Sequence, residues 1–292
     1  MSLAPFAKGD IFVTDSALDD SARFPTGMGK VRQYDAEWSL KATYETGQRG
    51  LISSLSLDRS GRLHIFDPQA RWVGTIGPDG QPLASFPELP NMALGSMIET
   101  TDGFLFGETF IGAIPGFAGA GHVYRVDHDG RVIRAYDTAN NGGVGGFLGV
   151  THMALSPDAS TLYHVSETGA EVYAHDLADD RRLGAIYTRQ DPPPMVFGLA
   201  TAPDGSVLVA CATEIRRLSP QGEVIQTYAL PEGRGWSVVK MRHGDTAFWA
   251  LDFMAGQLVC VGLASGEIAQ HKQLGLAKCL AGIAEYQGSD EA

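Results

Sequence analysis

MALSPDASTLYHVSE (residues 153–167) is two short apolar runs separated by a polar turn that carries an Asp. The same grammar recurs in LSLDRSGRLHIFD (55–67), MIETTDGFLFGET (97–109), LATAPDGSVLVAC (199–211) and VVKMRHGDTAFWALD (238–252). Each copy leads into a second pair of runs around another turn, as in HVYRVDHDGRVIRAYD (122–137), EIRRLSPQGEVIQTYAL (214–230) and QLVCVGLASGEIAQHKQL (257–274). Alternation such as Val-Tyr-Arg-Val-Asp has the period of a half-buried strand, and Asp-Gly turns close hairpins. Glycine punctuates the first turn at Gly61, Gly103, Gly205 and Gly244, with Ala159 standing in its place in the opening segment. In the second turn Gly80, Gly130, Gly222 and Gly266 recur. A unit of about 45 residues with four short strands is the signature of a propeller blade.

The blades can be counted. Complete ones cover 51–88, 93–138, 149–188 and 196–231, and another covers 235–275. The C-terminal run LAGIAEY (280–286) reads as a first strand with nothing after it. GDIFVTDS (9–16), GKVRQYD and LKATYE read as the other three strands with nothing before them. Joined, they make a sixth blade that closes the ring and removes its open edges. The expectation is one all-β domain over 1–292, a six-bladed β-propeller with four antiparallel strands per blade. With the blade shared by the two chain ends numbered one, blade three carries the uncharged insert 111–121. A glycine-rich connection, 140–148, leads into blade four, and residues 23–29 form a third long loop in blade one. Loops of that length are commonly functional. The insert either lies over an apolar pocket or is a plain surface loop.

Composition sets the outer limits. The 292 residues include 36 Gly, 44% are hydrophobic and 19% are charged, so the chain can bury a core and has many turns. No apolar run approaches the roughly 18 residues of a membrane-crossing helix. A net charge of −12 without a basic cluster argues against nucleic acid and against an anionic membrane surface. The N-terminus has neither a basic nor an apolar leader segment, which suggests a cytoplasmic protein. Cys211, Cys260 and Cys279 form no Cys-x-x-Cys pair and read as buried residues of a reducing compartment.

SPDASTLYHVSETGAEVYAHDL (156–177) resembles the repeat of the SMP-30/gluconolactonase, strictosidine-synthase and NHL-repeat group of propellers, and TDGFLFGETF (101–110) is similar to it. The resemblance implies the fold and a small-molecule ligand in the central channel. Its catalytic members are lactonases and related hydrolases that hold a divalent metal with acidic or amide side chains at inner-strand starts. The corresponding positions here are Ser53, Gly95, Thr151, Phe197, Trp236 and Ala281, none of them a carboxylate or carboxamide. The strand-end positions are Asp15, Asp67, Thr109, Ser166, Cys211 and Asp252, and the family's N-terminal Glu-Gly-Pro is missing. A hard cation needs several converging oxygens, so bound Ca²⁺ or Mg²⁺ is disfavoured and no other cofactor is expected.

The candidate catalytic residues are therefore His152, Asp252, Asp67, Asp15 and Glu167. Converging acids would raise at least one pKa, and a His beside a carboxylate can act as a base. Alternatively each Asp caps its own hairpin, and His152 is bonded to a neighbouring carbonyl. Candidate ligand-binding residues are Phe197, Trp236, Thr151, Glu108, Phe110 and Phe253, whose aromatics either line an apolar pocket or plug the channel. His64 and His164 share a strand position and read as architectural; His122, His128, His175 and His271 read as solvated. The favoured function is a hydrolase or lactonase-type reaction at a non-standard site, with a partly acidic channel pocket. A non-catalytic NHL-like binding propeller is the alternative, and a metal-free lyase or ligase like strictosidine synthase is a further one.

Overall fold

The computed structural model describes residues 2–18, 27–84, 92–111, 121–138, 147–167 and 169–288. Among them the only regular element is the β-strand. Blade one is ordered Ile283–Glu285, Ile11–Leu18, Gly27–Tyr34, Leu40–Gly50 from the channel outward, so the last strand pairs with the first as Ile11↔Glu285 and Val13↔Ile283. Blade two is Ser54–Leu57, Leu63–Asp67, Trp72–Ile76 and Pro82–Leu83. Blade three is Leu94–Thr100, Gly103–Ile111, Val123–Val126 and Val132–Tyr136. Blade four is His152–Leu155, Thr161–Val165, Glu171–Asp176 and Arg181–Thr188. Blade five is Leu199–Thr201, Val207–Ala210, Ile215–Leu218 and Val224–Tyr228; blade six is Trp236–Met241, Ala247–Asp252, Gln257–Gly262 and Ile268–Gln273. All neighbouring pairs are antiparallel, and the six-bladed propeller expected from the repeats is the architecture found.

The turn chemistry explains why these segments fold as hairpins. Asp58 accepts the Arg62 N–H at 2.9 Å while its own carbonyl takes the Gly61 N–H at 2.8 Å. Asp127 repeats the device with the N–H groups of Asp129 and Arg131. Gly61 and Gly205 sit at φ +75° and +83°, a left-handed conformation that favours glycine. Ala159, in the segment without the glycine, adopts the same conformation at φ 57°.

Because side chains alternate along a strand, each blade presents one apolar face to each neighbour. Phe104 and Phe106 pack with Phe66 of blade two, whereas Leu105 between them packs with Val150 and Leu162 of blade four. A hydrophobic cluster fills each of the six blade junctions, including Ile11, Val13 and Ile283 against Trp249 and Leu258 where the ring closes. Hydroxyls stitch the inner ends together. Ser53 and Ser56 of blade two donate to the carbonyls of Gly95 and Met97 at 3.0 and 3.1 Å, and Thr109 of blade three donates to Val150 at 2.9 Å.

Phe147–Gly149 pairs with the far end of Gly103–Ile111, Phe147 opposite Ile111, so the described ends of the blade-three insert and of the glycine-rich connection leave as one ribbon. The described strands flanking 19–26, 85–91, 112–120 and 139–146 all end on the face where the inner strands begin. The remainder of the three long loops, 23–26, 112–120 and 140–146, lies outside the described residues.

Candidate functional site

The inner strands of all six blades surround an axial cavity of about 330 Å³. Its walls are mainly apolar, with Leu55, Met97, Ile98, Met153, Leu155 and Val239 among them. Ser54, Ser56, Ser96, Thr201, His152 and Lys240 supply its polar side chains. Among the described residues no carboxylate lines this cavity.

Asp67 and Asp252, both 0% exposed, cap their turns. Asp67 accepts from the N–H groups of Ala70 at 2.9 Å and Leu51 at 3.2 Å, and burial pushes its carboxyl above the usual range. Its second oxygen meets no partner among the described residues. Asp252 accepts from Met254 and Ala255 N–H at 2.9 and 3.0 Å and from Gln257 Nε2 at 3.3 Å. Glycine brings a neighbouring backbone onto each carboxylate, since a Cβ on Gly50 or Gly233 would sit 2.2 Å from an Asp67 or Asp252 oxygen.

Asp15 is drawn to Arg32, whose Nε and guanidinium nitrogen lie 2.9 and 2.8 Å from one carboxylate oxygen. Glu108 accepts from Gly121 N–H at 2.9 Å and from the Tyr124 hydroxyl at 3.1 Å. Burial and that carboxylate together push the Tyr124 phenol up to about 12. Glu167, at the end of a second strand, is raised by burial to about 7.

His152 opens the inner strand of blade four and lines the axial cavity. Its Nδ1 is buried with no partner among the described residues, and burial lowers the ring to about 4, so it is neutral at pH 7. Beside it, Thr151 donates to the Val165 carbonyl at 3.2 Å. Trp236 is fully buried in the cluster between blades five and six, with Phe197 packed against it. A register shift between Trp236 and Val238 offsets that strand from its partner. Phe253 is half-buried, and the side chain of Phe110 lies outside the described residues. Of the candidate site residues whose side chains are described, His152 is the one in the wall of this cavity.

Lys240 was not among the sequence candidates. It is a cation within Val238-Val239-Lys240-Met241, an otherwise apolar stretch of inner strand, and that contrast was its available signal. Its Nζ donates to the Leu55 carbonyl of blade two at 3.0 Å, past the intervening inner strand of blade one. The residue lines both the axial cavity and a second cavity of about 240 Å³ with His243, Glu285 and Gln287 in its wall. Desolvation lowers its amine to about 8.

Two other histidine expectations resolve differently. His64 is buried, bonding Asp58 at 2.9 Å and Thr75 at 3.1 Å, as an architectural residue would be. His175 is not solvated: its side chain is 2% exposed, bonded to Asp180 at 3.0 Å and set against the edge of Tyr136.

The divalent site of the resembling enzymes does not fit these residues. Among the described residues no group of three His, Cys, Asp or Glu side chains converges to hold a metal. The strand-end acids already have oxygens bound to backbone N–H groups, to Gln257 or to Arg32.

Residues 100–241 match the family model described as SMP-30/Gluconolactonase/LRE-like region. No curated protein matches the sequence. Among solved structures the chain is similar to virginiamycin B lyase from Staphylococcus aureus, catalytically inactive and with quinupristin, at 14% identity and TM-score 0.59, covering 95% of this chain and 89% of that one. It is similar to a chain of a nidogen/laminin complex at 12% identity and TM-score 0.65, covering 96% and 99%. A streptogramin B lyase aligns at 14% identity and TM-score 0.60, covering 93% and 96%. Likeness at such identity shows the fold alone. The chain is thus a six-bladed propeller whose residues 100–241 are similar to the SMP-30/gluconolactonase/LRE-like region.

Proposed function

We propose that this propeller is an enzyme that takes a small molecule into its axial cavity and hydrolyses it, with His152 as the base. The observation that carries the reading is the cavity itself, enclosed by all six inner strands and holding an imidazole without a partner among the described residues. Neutral at pH 7, that ring can accept a proton from a water as its oxygen bonds to an ester or lactone carbonyl, and return that proton to the leaving alkoxide as the acyl C–O bond breaks. Lys240 supplies positive charge deeper in the same cavity. The poor fit of the donor set to a divalent ion leads us to assign no metal to the reaction. Three free, buried cysteines support a reducing, cytoplasmic setting.

The capped acids at the mouth favour a second reading, a non-catalytic binding propeller, and one experiment separates the two. Turnover of 4-nitrophenyl butyrate and of γ- and δ-lactones is measured for the wild type and for His152→Gln. Loss of at least a hundredfold in kcat, with a normal melting curve, supports hydrolysis at His152. Turnover that is absent from the wild type, or unchanged in the variant, overturns it.

A further inference from the structure

Taking the axial cavity as the small-molecule site, we propose that its ligand is an organic monocarboxylate with a hydrocarbon body, held by the ammonium group of Lys240. An ammonium has three N–H donors. One is used on Leu55, and among the described residues the other two have no partner. Among the described residues, the charged and titratable groups around the channel give it no counterion. Glu285 of blade one is bound to Arg242 at 3.1 Å and to the Trp249 indole at 3.2 Å. Asp58 of blade two is bound to Arg62 at 2.6 Å and His64 at 2.9 Å. Glu99 of blade three accepts the Arg59 N–H at 2.6 Å. His152 faces the cavity from blade four, and Arg242 and His243 follow Lys240 in blade six.

A desolvated cation without a counterion is costly unless it loses its proton or gains an anion. A carboxylate answers both unspent donors with charge-assisted hydrogen bonds. The walls narrow the class further. A phosphate dianion calls for several cationic or backbone donors, and the cavity offers one cation among Leu55, Met97, Ile98, Met153 and Leu155. An apolar tail attached to one carboxylate suits that lining. A cavity of 330 Å³ holds on the order of ten water-sized groups, which limits the ligand to a short chain or one ring. In a chain of net charge −12, a lone cation at the centre also sets where an anion can settle.

The test compares butyrate and hexanoate with their neutral isosteres butyramide and hexanamide, and with inorganic phosphate, by titration calorimetry and ligand-observed NMR. Hexanoate should bind the wild type at least tenfold more tightly than hexanamide. That preference should fall to parity in Lys240→Met, with a melting curve confirming the fold. In the wild type it should also decline from pH 8 to 10 while amide affinity stays level, a readout that needs no variant. Equal binding of acid and amide, absence of carboxylate binding, or phosphate binding as tight as hexanoate overturns the proposal. The two readings fail separately. Ester hydrolysis that depends on His152 without carboxylate preference removes this inference alone; carboxylate binding with turnover indifferent to His152 removes the hydrolase alone.

Discussion

The strand-end acids and Lys240 are both buried charges on inner or second strands, yet their surroundings are opposite. Asp252 takes two backbone N–H groups and the Gln257 amide within its own turn. Lys240 reaches across the channel to a single carbonyl two blades away. A buried charge satisfied by its own hairpin is part of the hairpin. One that must cross a cavity to find a single acceptor is available to a guest.

Breaking the satisfied side should have the largest effect on stability. Asp252→Ala strands the Met254 and Ala255 N–H groups and the Gln257 amide, and should cost about 3 kcal/mol in urea denaturation. A loss under about 0.5 kcal/mol, the range of ordinary surface substitutions, would show that the carboxylate is not a structural cap.

Replacing the unsatisfied charge should act in the opposite direction. The Lys240 amine falls from 10.5 to about 8 on folding, so below pH 8 the unfolded state holds its proton more tightly than the native one. Its charged form therefore weighs on the fold by roughly 2–3 kcal/mol at pH 6–7, relieved as pH rises from 8 to 10.5. Lys240→Met should raise stability by about that amount at pH 7 and by little near pH 10.5, measured as urea midpoints across pH. A destabilised variant at pH 7 would mean the ammonium is well solvated.

Glu167 sharpens the comparison with a carboxyl whose titration has the reverse sign. Its raised value, about 7 against 4.5, makes the native state the tighter proton binder between those pH values. Stability from this group is present below pH 4.5 and lost as pH rises through 7. Glu167→Gln should match the wild type at pH 4.5 and exceed it by roughly 2–3 kcal/mol at pH 8. Equal stability at both pH values would place the carboxylate in water.

The smallest effect is expected at Arg32, whose side chain is 32% exposed beside Asp15. Arg32→Met should cost no more than about 1 kcal/mol, with the difference shrinking in 1 M salt.

How much of this was legible in the sequence follows from which forces act within one hairpin. The Asp58-to-Gly61 turn, and its counterparts at Asp127 and Asp204, are complete within about five residues, so spacing alone revealed them. Ring closure was legible because a lone strand at one end and three at the other leave unpaired edges. The channel lining was not. Whether an inner-strand side chain faces the axis or a neighbouring blade depends on bulges such as those between Leu94 and Ser96 and between Trp236 and Val238. A one-residue offset exchanges the two faces. Counting from the turn therefore put Trp236 at the mouth, whereas its ring lies between blades five and six. Lys240 went unnoticed because the carbonyl it reaches is 185 residues away in the chain.

The pairing of Ile283–Glu285 with Ile11–Val13 bears on how the protein is made as well as how it stands. Ala281, Gly282 and Ile283 form part of the cavity wall, and Glu285 ties Arg242 and Trp249 to the closing blade. A chain emerging from the ribosome can assemble blades two to six in order, each resting on the one before. The axial cavity is walled on every side only once Ile283–Glu285 has paired beside Ile11–Leu18.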